Sequence, residues 1–300
     1  MIGHRRGPSM VWKRRRIAAA RVWRLLRADR GGLAGLVLLV FFGLMALFAP
    51  LIRSHSELAK SSGRGRPNLA SPSGEFWLGT DEVGRDVVAQ LVWGARVSLY
   101  IGLLATAVAV VIGSVVGLVA GFSRGRLSKA MLFLDDFVLV LPFLPLASVL
   151  AVILGSSPTV IAGVIGATFW AGSARLVRAQ VLSLRERGYV DRARALGAGG
   201  GHIVTRHVLP GVAPLIIANA TLLVPGVILG ETTLAFLGLG DPDSPSWGKV
   251  LEGARTSGSV TNNAWWYFAP PGLCIIAVVM AFMLVGRALE QIFNPRMVGK

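Results

Sequence analysis

Three acidic residues, Asp135, Asp136 and Glu231, lie in or beside long apolar stretches, where a charged side chain is a functional candidate by default. A charge at the middle of a bilayer costs about 2.5–3.5 kcal/mol on insertion scales. Asp135 and Asp136 are close to Lys129, which favours a solvated or ion-paired helix end. Glu231 lies deeper, either protonated or bonded to Thr232, Thr233 or a partner subunit. Packing and a role in a substrate path both stay open for Glu231 and for Asp136.

Residues that could perform other chemistry do not form a recognisable constellation. The sequence has no GxxxxGK[ST] phosphate loop, and His202 stands where the glycine run beginning at Gly197 would need its last glycine. Its four histidines do not form HExxH, and Cys274 is the single cysteine. We therefore predict no catalytic site, no metal site and no cofactor in this chain.

The composition indicates the class of protein to which the chain belongs. Of 300 residues, 53% are hydrophobic and 15% are charged, yet the formal net charge is +16. An average soluble domain has about 25% charged residues. A chain that is basic but poor in charge is typical of an integral membrane protein rather than of a soluble enzyme, a disordered chain or a nucleic-acid-binding protein.

Apolar runs long enough to cross a bilayer occur six times. A core about 30 Å thick needs about 20 helical residues. The runs are continuously apolar, which argues against a barrel, and an open sheet would leave unpaired amides in lipid. We predict an all-α polytopic membrane protein. Its spans are Gly31–Ile52, Val97–Ser123, two spans between Asp136 and Arg175 that separate at the turn Gly155–Pro158, Ala213–Leu237 and Phe268–Val285.

Lysine and arginine are distributed unevenly between the predicted loops. With six spans, 23 of the 31 basic residues fall on the side that holds both termini. The positive-inside rule therefore places both termini in the cytoplasm.

The basic arm before the first span is too long for a usual signal peptide, and we interpret it with that span as a signal anchor. Trp12, Ala19, Trp23 and Leu26 fall on one helical face. The arm is either a helix on the membrane surface or a basic tail that only sets topology.

The loop 173–212 is the most informative segment. Val177, Val181 and Leu184 recur at helical spacing, and a second short helix, about Val190 to Leu196, would end at Gly197. Connections of about 40 residues are usually functional or disordered, and the helical pattern argues against disorder. We predict a rigid hairpin that docks against another protein; the alternative is a simple connector.

This loop resembles the EAA loop of ABC-importer permeases. Tyr189–Gly197 followed by Leu209-Pro210 carries the resemblance. The wider chain, about residues 20–297, is similar to the second permease subunit of dipeptide and oligopeptide importers, a group that also includes nickel permeases. Further matching segments are Ala49–Leu51, Leu78–Asp86, Gly94–Ser98, Ala174–Arg178, Val181–Glu186, Leu234–Gly240, Pro245–Gly248 and Asn294–Arg296.

The resemblance implies that the 173–212 loop holds a coupling helix. By position, Asp191, Arg192 and Ala193 occupy the E-A-A sites and Gly197 the glycine, with Tyr189, Leu209 and Pro210 completing the motif. Asp191 stands for a glutamate and Arg192 for a small residue, which suggests a docking surface tuned to a particular ATPase.

In the matching segment Leu78–Asp86, which lies outside the membrane, the residues singled out are Gly79, Asp81, Gly84, Arg85 and Asp86. Asp81 and Arg85 are spaced to pair on a helix, a contact of about 0.3–0.5 kcal/mol when exposed. We interpret it as a structural element near the mouth of the path.

The resemblance also implies an assembly. A homologous permease would complete the path, two ATPase subunits or domains would bind ATP-Mg, and an extracytoplasmic substrate-binding protein would deliver ligand. The predicted substrate is a dipeptide or oligopeptide, with nickel or another small solute as the alternative; a stand-alone secondary transporter or channel is a rival hypothesis. The expected location is the bacterial plasma (inner) membrane. The expected parts are a cytoplasmic arm (1–30), a first span (31–53), an extracytoplasmic segment (54–96), a five-helix core (97–290) and a cytoplasmic tail (291–300).

Overall fold

The computed structural model describes residues 29–54, 58 and 67–293. The arm containing Trp12 and Trp23 and the matching segment Asn294–Arg296 lie outside the described residues, so both predictions stay open. The described parts are built from helices, and they contain no strand beyond a single bridge between Thr80 and Asp86.

Eleven helices follow one another along the described residues. They are α1 (Arg30–Leu47), α2 (Ala49–Ile52), α3 (Val87–Phe122), α4 (Arg126–Val140), α5 (Phe143–Leu154), α6 (Pro158–Arg185), α7 (Gly188–Ala195), α8 (Gly200–Ile203), α9 (Leu209–Leu234), α10 (Trp247–Thr256) and α11 (Trp265–Phe293). Two π-helical turns, Val204–Val208 and Ala235–Leu239, lie before and after α9.

Five helical stretches in the described residues are long and apolar enough to cross a membrane, and the bent pair of α4 and α5 makes six if the two helices count as one span. The predicted multi-pass helical fold is confirmed. The predicted turn also occurs at its expected place: Ser157 accepts a hydrogen bond from the Val160 amide, and Pro158 begins α6.

The predicted third span is wrong in its start and its shape. It begins at Arg126 rather than near Asp136, and its two halves meet at 92°. Pro142 causes the break, because proline lacks an amide hydrogen and disfavours helical geometry at the residue before it. Leu141 accordingly has extended backbone angles, φ −70° and ψ 127°.

The second span starts ten residues earlier than predicted. Asp86 caps α3, since its Oδ1 accepts a hydrogen bond of 2.8 Å from the Val88 amide. The 36 residues of α3 extend about 54 Å, well beyond the bilayer core.

The most extensive helix–helix contact joins α3 and α6. Gly113, Gly117 and Gly121 let the two backbones approach closely: a Cβ on Gly117 would lie 2.5 Å from the Ala174 carbonyl oxygen. Small residues at intervals of four commonly bring membrane helices together in this way. Because α6 continues into the 173–212 loop, this contact fixes the loop's position.

Candidate functional site

The long loop starts as a direct extension of a membrane helix. The 28 residues of α6 span about 42 Å, and their last turns bury Val177, Val181 and Leu184 as the spacing predicts. Arg185 donates a hydrogen bond of 3.1 Å to the Gly121 carbonyl at the end of α3. The loop is thus joined to two long helices at its base.

The short helix α7 closely matches the prediction and ends in a Schellman motif. Gly197 adopts φ +83°, its amide donates to the Arg194 carbonyl at 2.9 Å, and the Ala198 amide donates to the Ala193 carbonyl at 3.0 Å. Glycine is favoured here because a side chain is strained at positive φ.

A small apolar core supports α7 from beneath. Val190, Ile203 and Val208 are fully or almost fully buried, and they pack with the three buried residues of α6. Tyr189 and Ala193 are half-buried against this core, and the Tyr189 ring lies 6.1 Å from that of His207. The loop therefore has an interior of its own.

The opposite face of α7 points away from this core. Asp191 and Arg192 are exposed, and Arg194 pairs with Asp191 at 3.1 Å. Leu196, which sequence reasoning did not single out, is 88% exposed. Its position four residues after Arg192 could have indicated that it shares the outward face. Leu196 thus adds an apolar side chain to an otherwise charged outward face.

Leu209 and Pro210 lie at the start of α9, both exposed, after the π-helical turn that returns the chain to the bundle. Proline is tolerated there because the first amides of a helix have no intrahelical acceptor. The structure therefore places the seven predicted loop residues in one continuous segment, with Tyr189 and Ala193 half-buried against its core and the other five exposed.

The paired carboxylates Asp135 and Asp136 both contact Arg175 of α6 rather than Lys129. The Arg175 Nη2 lies 2.7 Å from Asp136 Oδ1, and Nε lies 3.3 Å from Asp135 Oδ2. Asp135 is buried and Asp136 exposed. These ion pairs hold α4, the first half of the bent pair, against α6, the helix that leads into the 173–212 loop.

Glu231 lies at the other end of the bundle and is 2% exposed. Ser246, which caps α10, lies beside its carboxyl group, while Thr233 donates instead to the Leu229 carbonyl. Neither threonine considered from the sequence is thus its partner. The second oxygen, Oε2, has no hydrogen-bond partner among the described residues.

The segment 79–86 forms a buried turn before α3. Asp81, fully buried, accepts hydrogen bonds from the Val83 and Arg85 amides, the Arg85 guanidinium and Gln90. Burial alone would lower the pKa of Arg85, but the adjoining Asp81 carboxylate outweighs it and raises that pKa. This buried contact is not the weak exposed pair predicted from spacing.

The rest of the segment is equally ordered. Gly79 and Gly84 adopt φ +66° and +77°, and Asp86 pairs with Arg53 at 3.4 Å besides capping α3. The described contacts of the turn therefore hold the segment 79–86 in place before α3.

Trp247 joins two further segments that match the family, Gly94–Ser98 and Pro245–Gly248. Its indole donates a hydrogen bond of 3.0 Å to the Leu91 carbonyl, and its amide donates to Ser98. A Cβ on Gly94 would lie 2.9 Å from the indole. Gly94 therefore makes room on α3 for a fully buried tryptophan at the start of α10.

Comparison with known proteins agrees with this architecture. Residues 113–299 match the family model described as binding-protein-dependent transport system inner membrane component, and residues 19–70 match the N-terminal TM domain of oligopeptide transport permease C.

Individual relatives align over almost the whole chain. The dipeptide transport system permease protein DppC of Bacillus subtilis (strain 168) is 34% identical over 92% of this chain and 85% of its own length. The di/tripeptide permease DppC of Pseudomonas aeruginosa (strain UCBPP-PA14) is 37% identical over 92% and 91%, respectively. The probable D,D-dipeptide permease DdpC of Escherichia coli (strain K12) is 31% identical over 96% and 95%. The resemblance found in the sequence is confirmed, and the chain belongs to the family of binding-protein-dependent transport system inner membrane components.

Proposed function

We propose that this chain is one of two homologous permease subunits of an ATP-driven importer for dipeptides or oligopeptides in a bacterial inner membrane. It forms half of the translocation path, with both termini in the cytoplasm, and a substrate-binding protein delivers the ligand from outside. The peptide substrate is supported by the names of the relatives, and the orientation by the 23 basic residues on the loop side.

The exposed face of α7 is the observation that carries the coupling role. Asp191, Arg192 and Leu196 are presented on a helix whose inner face is packed on a separate apolar core. That core joins α6 directly, so a force applied to α7 moves a helix that runs about 42 Å through the bundle. Two ATPase subunits or domains, one for each permease, would provide that force.

ATP-Mg belongs to those partners in this proposal. The sequence has no phosphate loop, so this chain can sense ATP only through the movement of a docked subunit. In this proposal the chain itself forms part of the path and transmits the movement of α7 to α6, and it catalyses no reaction.

Charge reversal on α7 provides the first test of coupling. In Asp191→Lys, the pair with Arg194 is lost and all the charged side chains of the docking face become basic. We expect ATP-driven peptide uptake to fall by about tenfold or more, within the range of coupling energies between sites. Uptake into cells lacking the native permease measures this, after normalising for the amount of chain in the membrane.

Glu290→Lys is the matched control, because it reverses an exposed carboxylate on the same proposed side of the membrane, in α11. Uptake at the wild-type rate by normally expressed Asp191→Lys would contradict the coupling role. Parallel uptake of labelled dipeptide and of nickel decides the substrate, since import of nickel alone would contradict the peptide assignment.

A further inference from the structure

A cleft at the end of the bundle remote from α7 holds a carboxyl group for which the proposed coupling mechanism has no use. About 260 Å³ of empty space, including its open mouth, lies between α3, α6 and the segment after α9. Glu231 forms part of its wall, together with Asp241, Ser156, Ser244 and Ser246. Most of that volume is the open mouth, and the enclosed part holds about one water-sized group, which is the size of a single ion or of a terminal ammonium group.

The charges around the cleft are unbalanced. Glu231 and Asp241 are both acidic, and no lysine or arginine is among the residues that line the space. The nearby Lys249 pairs instead with Glu252 at 2.8 Å. Buried carboxylates are normally paired or fully hydrogen-bonded, but Oε2 of Glu231 has no hydrogen-bond partner among the described residues.

The lining also limits the kind of cation that would fit. Within the described residues, no three His, Cys, Asp or Glu side chains come together as a metal site. One buried carboxyl group with hydroxyl groups around it suits a single positive charge that donates hydrogen bonds, which is the chemistry of a primary ammonium group.

We propose that the Glu231 cleft binds a small monovalent cation, namely a primary ammonium group at the amino end of a transported peptide. The peptide as carrier rests on the proposed function, whereas the cation site does not. The position is consistent, because the cleft lies beside Ser156 and Pro158 at the start of α6, about 42 Å along that helix from its end next to α7, which would face the ATPases. An alkali ion from solution would offer the same charge from a different source.

Protection of Glu231 from a hydrophobic carbodiimide tests the site directly. The full-length chain, purified within its importer complex, is treated in choline, methylammonium, sodium or potassium chloride at equal ionic strength. Mass spectrometry then follows modification of Glu231 and of the exposed Asp243. We expect methylammonium to slow modification of Glu231 by about tenfold while Asp243 is unaffected, because a bound ammonium occupies the carboxyl group.

Each other outcome is also informative. Protection by sodium or potassium but not by methylammonium would assign the site to a solution ion and overturn the ammonium assignment. Equal modification in all four salts, or none in any of them, overturns the cation site, because an exchanging cation must leave the carboxyl group accessible when it departs.

Transport by Glu231→Gln provides a second, independent measurement. The substitution keeps the shape and removes the charge, and Asp243→Asn is the matched control. For a dipeptide and its N-acetylated form, both first verified to occupy the binding protein, we expect wild type to favour the free amine and Glu231→Gln to lose about tenfold of that preference. An unchanged preference overturns the peptide source. If no peptide is imported even by wild type, the proposed function fails, and the labelling result still decides the cation site.

Discussion

Single residues in the outer turn show how strongly a buried charge depends on its surroundings. Asp81 and Arg85 have the spacing of a weak helical pair, yet Asp81 has no exposed surface and receives four hydrogen bonds. The i,i+4 spacing could be read from the sequence. The burial could not, because it depends on how the preceding segment folds over the turn: Thr80, the neighbour of Asp81, donates to the Pro67 carbonyl.

Asp81→Asn is therefore expected to destabilise the protein. The amide cannot accept all the hydrogen bonds of the carboxylate, and it leaves Arg85 without its main counter-charge, a loss of about 2–3 kcal/mol. The thermal unfolding midpoint of the purified chain measures this. Glu75→Gln, an exposed substitution nearby, is the control, and equal midpoints for the two variants would disprove a structural role of Asp81.

At the scale of elements, the helical type and the approximate places of the spans were predictable because the apolar runs are long and the terminators are local, whereas the short helices α2, α8 and α10 were not predicted. Gly197 ends α7 through its own backbone angles, and Pro158 begins α6, so both boundaries could be read from the sequence. The bend at Pro142 also has a local signal, the proline itself. The apolar run around it, however, is long enough to be interpreted as one straight span. The partner of Asp135 and Asp136 could not be predicted, since Arg175 is about 40 residues away and is brought near only by packing of α4 on α6.

Contact between α3 and α6 makes a quantitative test of helix packing possible. In Gly117→Ala, the new Cβ would lie 2.5 Å from the Ala174 carbonyl oxygen, so the helices must separate. Overpacking of this kind costs about 1–3 kcal/mol. We expect a lower unfolding midpoint for Gly117→Ala, whereas Gly163→Ala on α6 meets no atom within 4 Å and serves as the control. A midpoint of Gly117→Ala at or above that of the control would refute close packing at this site.

At the scale of the whole molecule, α6 connects the two ends that carry the proposals. Its first turn borders the Glu231 cleft, its middle packs on α3, and its last turns form the base of α7. One continuous helix thus links a candidate ligand site to a candidate docking site, without any need for a separate relay. The family membership was evident from the sequence motifs, whereas this mechanical connection required the three-dimensional packing of α6.

Orientation of the whole chain remains a prediction and can be tested with its single native cysteine removed. On a Cys274→Ala background, Arg124→Cys lies on the predicted cytoplasmic side, and Asp243→Cys lies on the opposite side; both positions are exposed. The distribution of lysine and arginine predicts that a membrane-impermeant maleimide labels Asp243→Cys in intact spheroplasts and Arg124→Cys in inside-out vesicles. Detergent-solubilised samples, in which both cysteines react, are the control for reactivity. The reverse labelling pattern would place the 173–212 loop outside the cell, where no ATPase could bind it, and would refute both the topology and the coupling role together.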